Sequence, residues 1–264
     1  MDKNEFQSLK DFLDREARRI NSTDFIADDP VQFPRRFSKL QDIEIVAMLS
    51  ATIAWGNRKM IRNNCEKMLA IMDNDPYAYL MDGAYESLPD GLNIHRTFFV
   101  RNFKNMLRGL SRIYASHDSL QAFARHHHVG NEAEPAWKLV EHIQNEFMLA
   151  NGCNDPRCLP TKLNDTALKR VNMALRWLVR NDGIVDMGVW NVIKPAQLFI
   201  PLDVHVGNTA RSLGLITRKA NDKRTVLELT DVLRQMRPDD PVLYDYALFG
   251  IGVSGQRVNQ EDVS

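Results

Sequence analysis

Apolar residues recur at helical spacing along nearly the whole of this 264-residue chain, and no stretch alternates with period two beyond a few residues. A chain patterned this way buries its apolar stripes by packing helix on helix. Phe6, Leu9, Phe12 and Leu13 form one such stripe within residues 4–20. Residues 42–53 are apolar on almost every side (Ile43, Ile45, Val46, Met48, Leu49), which predicts a central buried helix. Further helices are expected over 58–72, near 77–80, and over 101–115, 120–127, 135–149, 165–180, 223–236 and 241–250. Turn clusters at Asn74-Asp75-Pro76, Pro89-Asp90-Gly91 and Asn181-Asp182-Gly183 punctuate them, and 151–161 is expected to be a loop. The expected fold class is all-α, one globular unit over residues 1–252 with a ragged tail at 253–264.

Within this pattern one segment is unusually well defined. Ile200-Pro201-Leu202-Asp203-Val204-His205-Val206 is an extended apolar entry, then an acid, then a helical run with Val206, Ala210 and Leu213 on one face and Gly214 at its end. Pro201 keeps the entry extended, so Asp203 is the expected N-cap, its carboxylate accepting from free backbone N–H groups. The helix dipole favours its anion there. A fixed anion at a helix start could stabilise a cationic transition state.

Lys169 is the second residue of interest. Leu168, Val171, Leu175 and Leu178 mark a buried face of the 165–180 helix, while Lys169, Met173, Arg176 and Arg180 fall on another. Lys169 is thereby expected in the first turn, an unfavourable place for a cation that favours the neutral amine a nucleophile needs.

Charge is balanced overall, with 34 Lys and Arg against 34 Asp and Glu, which argues against a strongly basic nucleic-acid binder. Between Pro156 and Arg224, however, twelve Lys and Arg face five Asp, an excess of seven positive charges that could form a local phosphate-binding face. Three cysteines (Cys65, Cys153, Cys158) cannot all pair. With no membrane-length apolar run and no signal-peptide core in Met1-Asp2-Lys3-Asn4-Glu5, a cytoplasmic protein is expected. Cys153, Cys158 and His142 lack a well-spaced fourth ligand, and consecutive helical positions such as His126-His127-His128 point apart, so no metal site is expected.

Leu202-Asp203-Val204-His205-Val206 followed by Ala210-Arg211-Ser212-Leu213-Gly214-Leu215 resembles the "V-D-T-H-V … R-L-G-L" signature of the helix-hairpin-helix (HhH-GPD) DNA glycosylase superfamily. Ile45-Val46-Ala47-Met48-Leu49-Ser50-Ala51-Thr52 is similar to that superfamily's "L-L-I-A-V-L-L-S-A-Q" core helix. The order Lys169 then Asp203, 34 residues apart, resembles the longer lysine-to-aspartate spacing of archaeal-type 8-oxoguanine glycosylases. Lys169-Arg170, Leu175-Arg176-Trp177 and Ile200-Pro201-Leu202-Asp203 are most similar to an uncharacterised bacterial family within or beside the superfamily. Two departures stand out. The phosphate-gripping "L-P-G-V-G" hairpin is replaced by Leu159-Pro160-Thr161-Lys162, and the usual glutamine is Thr52. A C-terminal four-cysteine cluster is lacking, so no iron–sulfur cofactor is expected.

The resemblance implies two helical subdomains, one around 42–150 and one around 165–250, flanking a cleft that takes duplex DNA with a damaged, everted base, such as an oxidised purine. Asp203 would stabilise a cationic sugar, and Lys169 would attack C1′ and form a Schiff base that permits strand cleavage. Arg170, Arg176, Arg180, Arg211 and Lys219 would hold phosphates, and Trp55, Trp190, Phe199 and His205 would stack on the base. Two other readings stay open: a catalytically silent nucleic-acid-binding protein of the same fold, motivated by the missing hairpin glycines, and a helical interaction protein without nucleic-acid affinity, motivated by the zero net charge.

Overall fold

A computed structural model of the protein describes residues 2–255 and is all-α apart from one two-stranded hairpin, β1 (Asn93–His95) and β2 (Phe98–Phe99). The helices are α1 (Lys3–Ile20), α2 (Thr23–Asp28), α3 (Leu40–Thr52), α4 (Arg58–Ile71), α5 (Pro76–Asp82) and α6 (Val100–Ser116). They continue with α7 (Leu120–His126), α8 (Pro135–Asn151), α9 (Lys169–Val179), α10 (Val204–Ser212), α11 (Lys223–Met236) and α12 (Tyr244–Ser254). Local chemistry sets most of the boundaries. Asp2 and Glu5 close a reciprocal capping box on α1, and Ser119, Asp203 and Asp222 each cap the helix that follows. Pro76 and Pro135 open helices, and Gly83 and Gly152 close them in the left-handed conformation.

The tail expected from Val253 is corrected at its start, because Val253 and Ser254 complete α12; residues 256–264 lie outside the described part. The helix expected from 165 begins instead at Lys169, because Leu168 adopts a left-handed conformation with φ of 48°. That conformation is uncommon for a bulky residue and stops the helix from extending backwards.

α6 lies along α8, and α12 packs between α1 and α10. Where α6 meets α8, Gly109 faces Phe147; an added Cβ would stand 2.0 Å from the ring, so only glycine admits the approach. α3 and α9 pack on each other, and the buried apolar side chains of all these helices form one continuous cluster. α3 is buried along nearly its entire length, including Glu44, which is 0 % exposed. Its carboxylate accepts from Tyr114 Oη (2.9 Å), Trp190 Nε1 (2.8 Å) and the backbone N–H groups of Leu120 (2.7 Å) and Gln121 (2.9 Å). A buried carboxylate persists only with such partners, and here they lock α3 to α6, to the start of α7 and to the segment before α10. Among the described residues no helix is long and apolar enough to cross a membrane.

Glu44→Ala strands four buried donors at once and is expected to cost at least about 3 kcal/mol, whereas Glu44→Gln keeps one acceptor and costs less. Urea unfolding of both variants checks this ordering; equal stabilities would remove Glu44 as the anchor of α3.

Candidate functional site

A cleft of about 1190 Å³ opens where the C-terminal end of α3, the 152–168 loop, α9, the entry to α10 and the start of α12 meet. Lys169 and Asp203 both line it, each at the start of a helix. Asp203 Oδ1 accepts from Val206 N at 2.9 Å, so its carboxylate is the N-cap of α10 and is held at the cleft edge by the chain geometry that Pro201 imposes. Lys169 is half-buried, and its Nζ donates to the Ala54 carbonyl at 3.3 Å, just past the end of α3. Arg170 sits beside it and donates from Nη1 to Thr52 O at 2.8 Å. Two cations from the positive end of α9 therefore rest on the negative end of α3, which offsets their unfavourable position in their own helix. Leu168 is strained and 2 % exposed; Asn172, itself buried, braces the turn by donating to the Ala167 carbonyl. Strain held in place by such packing aims Lys169 into the cleft.

Two buried arginines lie beneath this floor. Arg176 is clasped between Asp186 (3.2 Å from Nε) and Asp245, with its guanidinium 4.4 Å from the Tyr246 ring centroid. Arg180 pairs with Asp182 (2.9 Å), Asp186 and Asp240 (2.8 Å). Asp245 projects to the cleft from the first turn of α12. Burial pushes its carboxyl up to about 6, with the Asp203 charge adding to the push and Arg176 and Lys169 opposing it. Asp29, which caps the short turn after α2, is half-buried at the same cleft and is likewise raised by burial.

The expected phosphate-binding set is largely corrected. Residues 171–180 are all buried, so Arg176 and Arg180 form no outward stripe; α9 is central, and carboxylates rather than water cover its polar face. Arg211 commits its donors to the carbonyls of Arg218 (2.6 Å) and Lys219 (3.0 Å) and to Asn221, stapling the loop after α10. Arg170 lines the cleft, but its Nη1 is committed to Thr52 and Arg157 carbonyls. Lys219 is exposed and lies outside the cleft lining. Of the expected basic face between 156 and 224, Arg176, Arg180, Arg218 and Lys223 are paired with carboxylates, and Arg211 is tied to carbonyls of its own loop. Exposed cations that do line the cleft are Arg58, Arg157 and Lys162.

The four aromatic candidates divide in the same way. Trp55 and His205 line the cleft, Trp55 edge-on to His95 at 5.1 Å and His205 exposed. Trp190 and Phe199 do not: Trp190 is 3 % exposed and bonded to Glu44, and Phe199 is buried edge-on against Trp137. Asp245 and Asp29 escape sequence reasoning. The one signal for such a residue is a lone acid inside an apolar run, as in Leu243-Tyr244-Asp245-Tyr246-Ala247, since a charge buried that way needs a partner. His127 stacks on His142 at 4.0 Å, and among the described residues no group of three His, Cys, Asp or Glu side chains could hold a metal ion.

Arg180→Ala leaves Asp186 and Asp240 without their common cation and is expected to lower stability by about 3–5 kcal/mol in denaturant unfolding. A variant as stable as the parent would show that the buried charges are not coupled.

No curated protein and no solved structure matches the chain. The family described as "Protein of unknown function (DUF2400)" matches residues 29–254, most of the chain, and the protein therefore belongs to that family.

Proposed function

We propose that the cleft is the active site of a DNA glycosylase with lyase activity, acting on a damaged base in duplex DNA. The observation that carries this reading is that Lys169 and Asp203, 34 residues apart, line one cleft from the starts of two different helices. A volume of about 1190 Å³ is ample for an everted nucleotide. The amine supplies a nucleophile for C1′, the capped carboxylate supplies a fixed negative charge for the cationic sugar, and Trp55 and His205 supply surfaces for stacking. Arg58, Arg157 and Lys162 replace the buried arginines as the phosphate-binding groups. An oxidised purine remains the proposed base class, on the sequence resemblance alone.

A second reading, a silent nucleic-acid-binding protein, is favoured by one feature: the 152–168 stretch is an irregular loop without the glycine hairpin that would present backbone N–H groups to a phosphate. Borohydride trapping on abasic and 8-oxoguanine duplexes separates the two. The glycosylase reading expects a covalent adduct with the parent protein and none with Lys169→Gln. Binding without an adduct would leave the silent reading.

Asp203→Asn is expected to keep most of the cap, since asparagine also caps, while lowering base release by about 10²-fold or more. Single-turnover release of the free base measures it, and parent-level turnover would reduce Asp203 to a cap. Replacing Arg58, Arg157 and Lys162 together by alanine should flatten the salt dependence of duplex binding by about 0.9 in log–log slope for each phosphate that is no longer neutralised. An unchanged slope would place the DNA elsewhere.

A further inference from the structure

We propose that Asp245 is the proton-transfer partner of Lys169, taking the proton that the ammonium must lose before attack and returning it to the group that leaves C1′. The inference rests on the reading of the cleft as a lyase site and deepens it. An ammonium has no lone pair, so a nucleophilic lysine needs a nearby proton acceptor as well as an electrophile.

Four carboxylates line this cleft; Asp165 is exposed, and the three that are at least half-buried, Asp29, Asp203 and Asp245, are not equivalent. Asp29 Oδ1 accepts from Val31 N (2.9 Å) and Asp203 Oδ1 from Val206 N (2.9 Å); both are caps, and protonating either would weaken its backbone bond. Asp245 caps nothing. Its Oδ2 is bonded to Arg176 Nη1, and among the described residues Oδ1 has no hydrogen-bond partner, although the residue is only 5 % exposed. Arg176 is itself fixed by Asp186 and by the face of Tyr246, so Asp245 is held in one orientation at the cleft. The charged groups that act on it are Arg176 and Lys169 of α9 and Asp203 at the start of α10, with Asp29 and Arg58 acting on the same cluster. A carboxyl raised to about 6 is mostly ionised at neutral pH, and it holds a proton readily enough to hand it on.

The step balances on an abasic sugar in its aldehyde form. The Lys169 ammonium gives one proton to the Asp245 carboxylate, the freed nitrogen lone pair adds to the C1′ carbonyl carbon, and one of the two remaining N–H protons passes to the former carbonyl oxygen, producing a carbinolamine. Asp245 then returns its proton to the C1′ hydroxyl. The C–O bond breaks, water departs, and the nitrogen lone pair forms the protonated Schiff base. One ammonium and one aldehyde become one iminium and one water, with no change in charge and no redox partner.

The test is the rate of borohydride-trapped adduct on an abasic-site duplex, measured from pH 5 to 8 for the parent, Asp245→Asn and Asp245→Glu. Expected are a parent rate that rises through about pH 6, a slower rate with the rise kept in Asp245→Glu, and an Asp245→Asn rate about 10²-fold lower at pH 7.5 with the rise gone. A parent rate flat across this range, or a rise retained in Asp245→Asn, overturns the proposal and leaves the lyase reading intact. Should Asp245→Asn melt below the assay temperature, Asp245→Glu decides: a slower rate with the rise kept supports the proposal, and a rate and profile identical to the parent's overturn it. No adduct from the parent at any pH removes the lyase reading and this inference with it.

Discussion

The buried pairing of Arg176 and Arg180 with Asp182, Asp186, Asp240 and Asp245 is the constraint around which the cleft is built. Two guanidinium groups at 3 % and 2 % exposure would be strongly destabilising without partners, and four carboxylates from two parts of the chain, 182–186 and 240–245, supply them. Such a network contributes little net stability compared with an apolar core of equal volume, but it tolerates few alternative arrangements. It fixes α9 against α12 and against the 180–190 segment. α9 begins with Lys169 and the first turn of α12 carries Asp245, so the register of both groups at the cleft follows from charges buried behind them.

A second constraint comes from the ends of helices. α3 runs through the core, held near its start by the four donors around Glu44, and its C-terminal carbonyls emerge at the cleft. Lys169 and Arg170 settle on those carbonyls, while Asp203 caps α10 nearby. An amine held by a negative helix end and a carboxylate held by a positive one are both pre-positioned by backbone dipoles. Little side-chain ordering then remains when a substrate arrives.

Much of the helical framework was legible because its signals are local. Capping residues, prolines and 3.6-residue periodicity act within a few positions, and α1, α4, α6, α8 and α11 begin and end within two or three residues of where those signals put them. Asp203 as a cap was equally legible, since Pro201 and the helical run after it leave few alternatives. The start of α9 was not, because nothing local announces a leucine in the left-handed region. Arg176 and Arg180 misled for a related reason: periodicity separates polar from apolar faces but does not say whether water or carboxylates cover the polar one.

By itself the sequence determined the helical class, most helix boundaries and the cap at Asp203, all consequences of forces acting within a turn or two of chain. Tertiary structure alone decided which charges are free. It buried Arg176, Arg180 and Trp190, committed Arg211 to its own loop, left Arg58 and Lys162 at the cleft, and brought Asp245 to the same cleft as Lys169 from 76 residues away. The physical reason is that desolvation and charge pairing depend on distance in space, which periodicity along the chain does not encode.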